Sequence, residues 1–353
     1  MRTALSVKNI KKIDRSDMLS VLLNFPSQCR TALAIAKSAA LPSAPQVFNK
    51  IVFAGVGGSA IGADLVKSYL YFKAGLPIGV IRDYELPAYV DSSTLVFVCS
   101  YSGNTEETLS AYEQAKKKQA AVIAVSSGGI LKERSLKDKF GYIEIPKGLP
   151  PRYALGYLTI IPLYVLSRLG IIAPLETELE RAFAILDELI NKNIHPNIPP
   201  KDNIAKYHAA KLYNRFPVIY SGSPNFEAVV TRFRSQLNEN AKTLASSGFF
   251  PEMGHNEIVG WHNPLKLLKG FILVIFRDHQ EDQRLTRRIE LTKDILKKET
   301  GVEILEIRPR GEDLLSRIFS LVYIGDFISY YLAITYGIDP APTQRIDFLK
   351  KQV

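Results

Sequence analysis

Cysteine is nearly missing from this chain: 353 residues hold two, Cys29 and Cys99, with no C-x-x-C pair. Two thiols cannot knit a disulfide scaffold, so a reducing compartment, the cytosol, is the expectation. Histidine is sparse as well, at positions 195, 208, 255, 262 and 279. No metal-ligand spacing stands out, and no metal is expected. Long clean apolar runs are lacking. The two longest, 154–166 and 314–334, are broken by Thr159, Ser316, Arg317 and Asp326. Both fall short of the roughly 20 apolar residues a membrane span needs, so they read as buried helices and no membrane association is expected. The first residues show no apolar stretch followed by a small-residue cleavage site, so no signal peptide is expected.

Acid is also in short supply. Against 45 Lys and Arg stand 35 Asp and Glu, a formal charge of +10. That excess admits nucleic acid, a membrane surface or a small phosphate as partner. The basic residues are scattered, however. The run at 287–298 alternates with Glu290 and Asp294, the pattern of a solvated helix face and not of a nucleic-acid stripe. No nucleic-acid partner is expected.

What is present is ordinary globular material, 46% hydrophobic and 23% charged, which excludes disorder, collagen and coiled coil. Single cores stop growing near ~250–300 residues, so two domains are expected. Short apolar, β-branched runs at 50–56, 78–82, 94–100, 121–127 and 142–146 alternate with helical patterns at 60–72, 106–118 and 131–139. That rhythm predicts an α/β domain with a doubly wound parallel sheet flanked by helices. Helices at 154–169 and 175–193 and a Pro/Asn-rich linker at 193–201 follow. The cycle then restarts: strands at 217–222, 270–277 and 302–308, and helices at 225–245, 281–300, 313–336 and 346–351. Two such domains, 1–172 and 173–353, are expected, with an amphipathic helix near 17–38 leading the first.

Two loops carry the chemistry of the first domain. After the first strand comes Gly55-Val56-Gly57-Gly58-Ser59-Ala60, opening a helix. Glycines let backbone approach an anion at a helix N-terminus. The stretch also fits the dinucleotide fingerprint G-x-G-x-x-A, with Asp83 near the end of the second strand. A tight strand-to-helix turn with no ligand is the lesser alternative. After the third strand comes Ser100-Tyr101-Ser102-Gly103-Asn104-Thr105-Glu106-Glu107-Thr108. One N-cap needs one such residue. Four hydroxyls together suit a phosphate dianion, and a dinucleotide site has no need of them.

These two loops resemble those of the sugar isomerase (SIS) domain. Further stretches, Gly148-Leu-Pro-Pro-Arg152, Asn238-Glu239-Asn240-Ala241-Lys242 and Pro251-Glu-Met-Gly-His255-Asn-Glu257, are similar to the bifunctional phosphoglucose/phosphomannose isomerase family. The likeness runs from about residue 51 to the C-terminus. It implies two SIS domains, a homodimer, a sugar phosphate substrate and no cofactor. Gly57, Gly58, Ser59, Ser100, Ser102 and Thr105 would bind phosphate.

The implied reaction moves a proton between C1 and C2 of a hexose phosphate. It needs a base, a stabiliser for the enediolate and a group to open the sugar ring. The resemblance places the base at Glu239, which by itself reads as a solvated helical glutamate, early to middle in its helix, paired with Lys242. It places ring opening at His255, sixteen residues on, with Glu252 and Glu257 available to orient the ring. In the family this histidine can reach the neighbouring subunit's site. Arg152 follows two prolines, and a guanidinium suits an enediolate. Thr343 and Lys350 fit a C-terminal pair seven residues apart. The threonine would make room for both C2 epimers, and the lysine would meet a substrate hydroxyl. By itself Lys350 reads as a fraying terminal lysine, with Lys351 beside it. The leading expectation is therefore an isomerase for glucose 6-phosphate, mannose 6-phosphate and fructose 6-phosphate. Its competitors are a non-catalytic sugar-phosphate sensor and an NAD-dependent oxidoreductase.

Overall fold

The structure is a computed structural model that describes residues 5–41, 47–350 and 352, the side chain of Lys350 excepted. It divides into two compact units: Asn24–Thr177, and Glu178–Val353 together with Met1–Leu23. The division expected at 172/173 is thus shifted, and the first residues belong with the second unit. Helices α1 (Val7–Ile13) and α2 (Met18–Leu23) pack there because Asp14, Leu22, Tyr323 and Tyr330 bond together. The Tyr330 hydroxyl donates to Asp14 Oδ2 at 2.8 Å and that of Tyr323 to the Leu22 carbonyl at 2.8 Å. A single helix was expected over 17–38. Instead α3 (Phe25–Ser38) starts afresh after Asn24, with Pro26 in its first turn, where a missing N–H costs nothing.

In the unit 24–177, the remaining elements are β1 (Lys50–Ala54), α4 (Gly58–Leu70), β2 (Ile78–Ile81), β3 (Thr94–Cys99), α5 (Glu106–Lys117), β4 (Ala121–Ser126), α6 (Gly129–Lys137), β5 (Gly141–Glu144) and α7 (Leu155–Arg168). All strand pairings are parallel, in the order β2-β1-β3-β4-β5. Val52, Ala54, Val96, Val98, Val122 and Ala124 form one buried face with Ala111, Tyr112 and Ala115 of α5 and Leu131 of α6. The intervening Ile51, Phe53, Phe97 and Ile123 are equally buried, and the Phe53 and Phe97 rings stack at 5.0 Å. Both faces are therefore covered, which is why these strands read as continuous apolar runs. Both buried thiols sit here; burial alone pushes Cys99 up to about 12.

The second unit holds α8 (Glu176–Leu189), whose end continues as a π-helical turn at Ile190–Ile194, then α9 (Ile204–Leu212), β6 (Phe216–Ser221), α10 (Glu227–Glu239), β7 (Ser246–Phe249), α11 (Glu257–Gly260), α12 (Leu265–Leu268), β8 (Phe271–Phe276), α13 (Gln283–Thr300), β9 (Glu303–Ile307), α14 (Leu314–Thr335) and α15 (Gln344–Lys350). Its sheet is parallel, in the order β7-β6-β8-β9. Val218, Tyr220, Leu273 and Ile275 pack against Ile289 and Leu296 of α13. On the opposite side Phe276 meets Phe233 of α10 edge-on at 5.4 Å. Helix α14 has the length and apolarity of a membrane span but is almost wholly buried in the protein.

Several elements escaped the sequence, α1, α9, β7, α11 and α12 among them. Helix α9 is capped by Asn203, whose Oδ1 accepts from the Lys206 amide at 2.9 Å. Helix α10, expected to reach 245, stops at Glu239, and the chain turns through Lys242 (φ +53) into β7. Ser246-Ser-Gly-Phe249 has no β-branched residue to announce a strand.

Candidate active site

The order β2-β1-β3 means that the chain reverses direction of growth between β1 and β3. Crevices at such switch points, outside the carboxyl ends of the strands, are where open parallel sheets hold ligands. The two loops singled out above leave these two strands, and they are bonded to one another. The buried Ser59 hydroxyl accepts from the Tyr101 amide at 3.2 Å. Ser100, also buried, accepts from the Gly103 amide at 3.1 Å and pairs with the Thr105 hydroxyl at 3.0 Å. Ser102 is exposed and accepts from the Asn104 amide at 3.2 Å.

Behind these loops lie the N-termini of α4 and α5. Gly57 is the N-cap of α4 and has no side chain to cap with; Thr105 is that of α5, and its hydroxyl turns to Ser100 and caps no amide of its own helix. The first N–H groups of a helix want an acceptor, and its dipole favours an anion there. The capping role that Ser and Thr ordinarily play is therefore not the one they play here. In α4 the Ser59 amide already bonds the Val56 carbonyl at 3.2 Å, and the neighbouring α6 contrasts with α5. Its first amides are used internally, Ile130 by Asn104 Oδ1 at 3.0 Å and Leu131 by the Gly103 carbonyl at 2.9 Å.

Arg152 comes to this edge by a different route. It lies in a 3-10 turn, Pro151–Tyr153, and is 7% exposed. Its guanidinium stands over the Tyr153 ring at 5.1 Å. The turn presses on the start of α4: a Cβ on Gly58 would lie 2.8 Å from the Arg152 nitrogen and 2.7 Å from the Pro151 oxygen. Only glycine permits that approach. The approach to the turn is tied to the second loop, since the Tyr101 hydroxyl accepts from the Leu149 amide at 2.8 Å and donates to the Pro146 carbonyl at 3.2 Å.

Sequence reasoning missed two supports. Gln28 of α3 is buried, donates to the Tyr153 carbonyl at 2.8 Å and accepts from the Gly156 amide at 2.7 Å. It pins the Arg152 turn from 124 residues away in the chain, with no local signal. Ser127, in the loop after β4, donates its hydroxyl to the Tyr101 carbonyl at 2.7 Å. Here a signal existed: Ser126-Ser127-Gly128-Gly129 repeats the hydroxyl and glycine composition of the first two loops.

In the second unit Glu239 is the last residue of α10, not an early or middle one, and is half-buried. The helix is fixed to α14 by buried polar bonds. Arg232 pairs with Asp326 through two bonds, at 2.7 and 3.0 Å, Gln236 donates to the same carboxylate at 3.1 Å, and Asn240 donates to Ser329 at 2.9 Å. His255 ends a 3-10 turn, Glu252–His255, and is exposed. The flanking carboxylates are engaged elsewhere: Glu252 accepts from Asn256 at 2.8 Å and Glu257 from the Tyr220 hydroxyl at 2.6 Å. Thr343 precedes α15, its carbonyl accepting from the Asp347 amide at 3.0 Å. Lys350 closes that helix, and its side chain lies outside the described residues.

At the carboxyl end of β8 the second sheet carries a buried ion cluster. Arg277 is 4% exposed and bonds Glu281, Glu290 and Glu306 at 2.6–2.9 Å. Burial would raise the Glu306 carboxyl, but Lys293 and Arg277 outweigh it and hold it at about 2.

Two parallel-sheet domains, one with hydroxyl-rich loops at its switch point, define the class: a tandem SIS-domain protein. Residues 48–135 match the SIS domain, and residues 201–353 match the bacterial phospho-glucose isomerase C-terminal SIS domain. The chain is 42% identical over 338 residues to the bifunctional phosphoglucose/phosphomannose isomerase of Caldicellulosiruptor bescii, covering 95% of this chain and 98% of that one. It is 38% identical to the enzyme of the same name from Thermoplasma acidophilum, covering 87% and 90%. A hypothetical protein from Thermus thermophilus shares the fold, at a TM-score of 0.76 and 16% identity, with 98% and 92% covered. The chain belongs to the bifunctional phosphoglucose/phosphomannose isomerase family.

Proposed function

We propose that this protein interconverts glucose 6-phosphate and mannose 6-phosphate with fructose 6-phosphate. The observation that carries the reading is the pair of helix N-termini, α4 and α5, left without side-chain caps at the β1/β3 switch point. Amides and hydroxyls of Gly57, Gly58, Ser59, Ser100, Ser102 and Thr105 bind the 6-phosphate dianion. A dinucleotide would not call for the second loop, and family membership favours an enzyme over a sensor.

With the ring open, the Glu239 carboxylate takes the C2 proton of the aldose. The C–H electron pair forms the C1–C2 double bond, and the carbonyl pair moves onto O1. The same carboxyl returns the proton to C1, while the O2 proton passes to O1 and the C2 ketone forms. Arg152 supports the negative oxygen of the enediolate. His255 and Lys350 serve ring opening and hydroxyl binding, and Thr343 leaves room for either C2 configuration. The exposure of His255 supports a role at a neighbouring subunit, so the working form is a homodimer, in the cytosol. The test is a coupled assay on chelator-treated protein with both hexose phosphates. The reading requires turnover of each to fructose 6-phosphate; no turnover of either would sink it.

A further inference from the structure

Lys242 lies three residues past Glu239, with its backbone in the left-handed region at φ +53. Helix ends commonly give such a position to glycine, which occupies it without strain. A lysine held there against its backbone preference points to a use for its side chain. Its ammonium donates to the main-chain carbonyl of Glu239 and to those of Pro342, at 2.7 Å, and Pro340, at 3.4 Å. An ammonium has three N–H donors with free rotation, and three carbonyls from two distant segments gather around this one. The charge also suits the C-terminal end of α10, where the dipole favours a cation.

Pro340 is buried, but the helix that follows the segment has little to fix it by burial. Helix α15 leaves Ile346, Phe348 and Leu349 at 40–64% exposure. Such a helix is held through its leading strand of chain more than through its own apolar face. Beyond the ammonium, Ser16 donates to Asp339 at 2.9 Å, and Asp339 accepts from the Ala341 amide at 3.2 Å.

We infer that Lys242 is a positioning residue, a clip that sets Pro340–Thr343, and with it the start of α15, against the turn that carries Glu239. The inference rests on the proposed roles of Glu239 and Thr343 in isomerisation. A loosened clip changes the placement of the epimer-accommodating threonine relative to the proton-transferring carboxylate. The substrate's C2 configuration is what both of those residues meet, so the ratio of mannose 6-phosphate to glucose 6-phosphate turnover is the sensitive quantity.

The test compares Lys242→Met, which keeps the stem, with Lys242→Gly, which relieves the backbone. Were Lys242 only a helix terminator, glycine would serve as well or better. The clip requires that both variants melt with the parent, that kcat falls by about tenfold or more, and that the mannose-to-glucose ratio shifts. It also requires amide exchange across residues 340–349 to speed up. Lys242→Arg, which can still reach the carbonyls, should restore part of each. Parent kcat, parent ratio and parent exchange in Lys242→Gly would overturn the inference. Should the parent protein prove inactive, the isomerase reading fails, and the exchange measurement still decides the clip.

Discussion

One methyl group at Gly58 should damage both binding and stability. The Cβ of Gly58→Ala would lie 2.7 Å from the Pro151 oxygen and 2.8 Å from the Arg152 nitrogen, both main-chain atoms. To reach ordinary contact the Arg152 turn must retreat by roughly 0.7 Å, the step from 2.7 to 3.4 Å. That turn is pinned on its far side by Gln28, through bonds of 2.8 and 2.7 Å, so the retreat is resisted. Overpacking of this kind costs about 1–3 kcal/mol, or about 2–4 °C per kcal/mol in a unit of this size. A displacement near 1 Å of a group that meets the transition state costs on the order of a hundredfold in rate. The expected outcome in steady-state kinetics is a fall in kcat/KM of about tenfold to a hundredfold, with a lowered melting temperature. Gly75→Ala is the control, since nothing lies within 4 Å of its Cβ, and it should match the parent. Unchanged kcat/KM in Gly58→Ala would refute the claim that the first loop and the Arg152 turn are held in register by contact.

Asp14 accepts from the amides of Met18 and Leu19 at 2.8 Å each and from Tyr330, so Asp14→Ala should lose about 2–3 kcal/mol by chemical denaturation, with Asp14→Asn recovering part. His208 is largely buried with Nδ1 unbonded, and burial holds its imidazole down at about 4 against an ordinary 6.5. Between those values the unfolded chain takes up a proton that the native chain refuses, so stability should fall as pH drops from 6.5 toward 4, by on the order of 2–3 kcal/mol. His208→Gln should flatten that slope in urea melts; an unchanged slope would discard the assignment. Burial raises both thiols, Cys99 to about 12, so a disulfide reagent near pH 8 should label neither until denaturant is added, and rapid labelling of the native protein would contradict their burial.

The doubly wound sheets were legible because parallel strands are buried on both faces and carry β-branched runs, as in Val96-Phe97-Val98 and Ile272-Leu273-Val274. The two loops at the β1/β3 switch point were legible because each is local: Gly57 to Ser59 and Ser100 to Thr105 are each one short stretch. What stayed hidden is long-range. Gln28 supports Arg152 from another helix, and nothing near Gln28 in the chain says so. Strand β7 has a sequence, Ser246 to Phe249, that only its partner β6 makes into a strand. Lys242 reads as a helix-surface partner of Glu239 because an i,i+3 spacing predicts that. The chain instead leaves the helix at that point, and the ammonium turns to Pro340 and Pro342. The placement of Glu239 at the helix end has the same cause. Helix propensity over 225–245 carried no stop signal strong enough to mark Asn240.

The most direct test of the central claim is proton transfer by Glu239. In D2O the parent protein should convert fructose 6-phosphate to glucose 6-phosphate and mannose 6-phosphate with deuterium at C2. Glu239→Gln should still bind fructose 6-phosphate, with kcat lowered by about 10²–10⁴-fold and no deuterium entering the recovered ketose at C1. Parent-like isomerisation or exchange by Glu239→Gln would contradict the account.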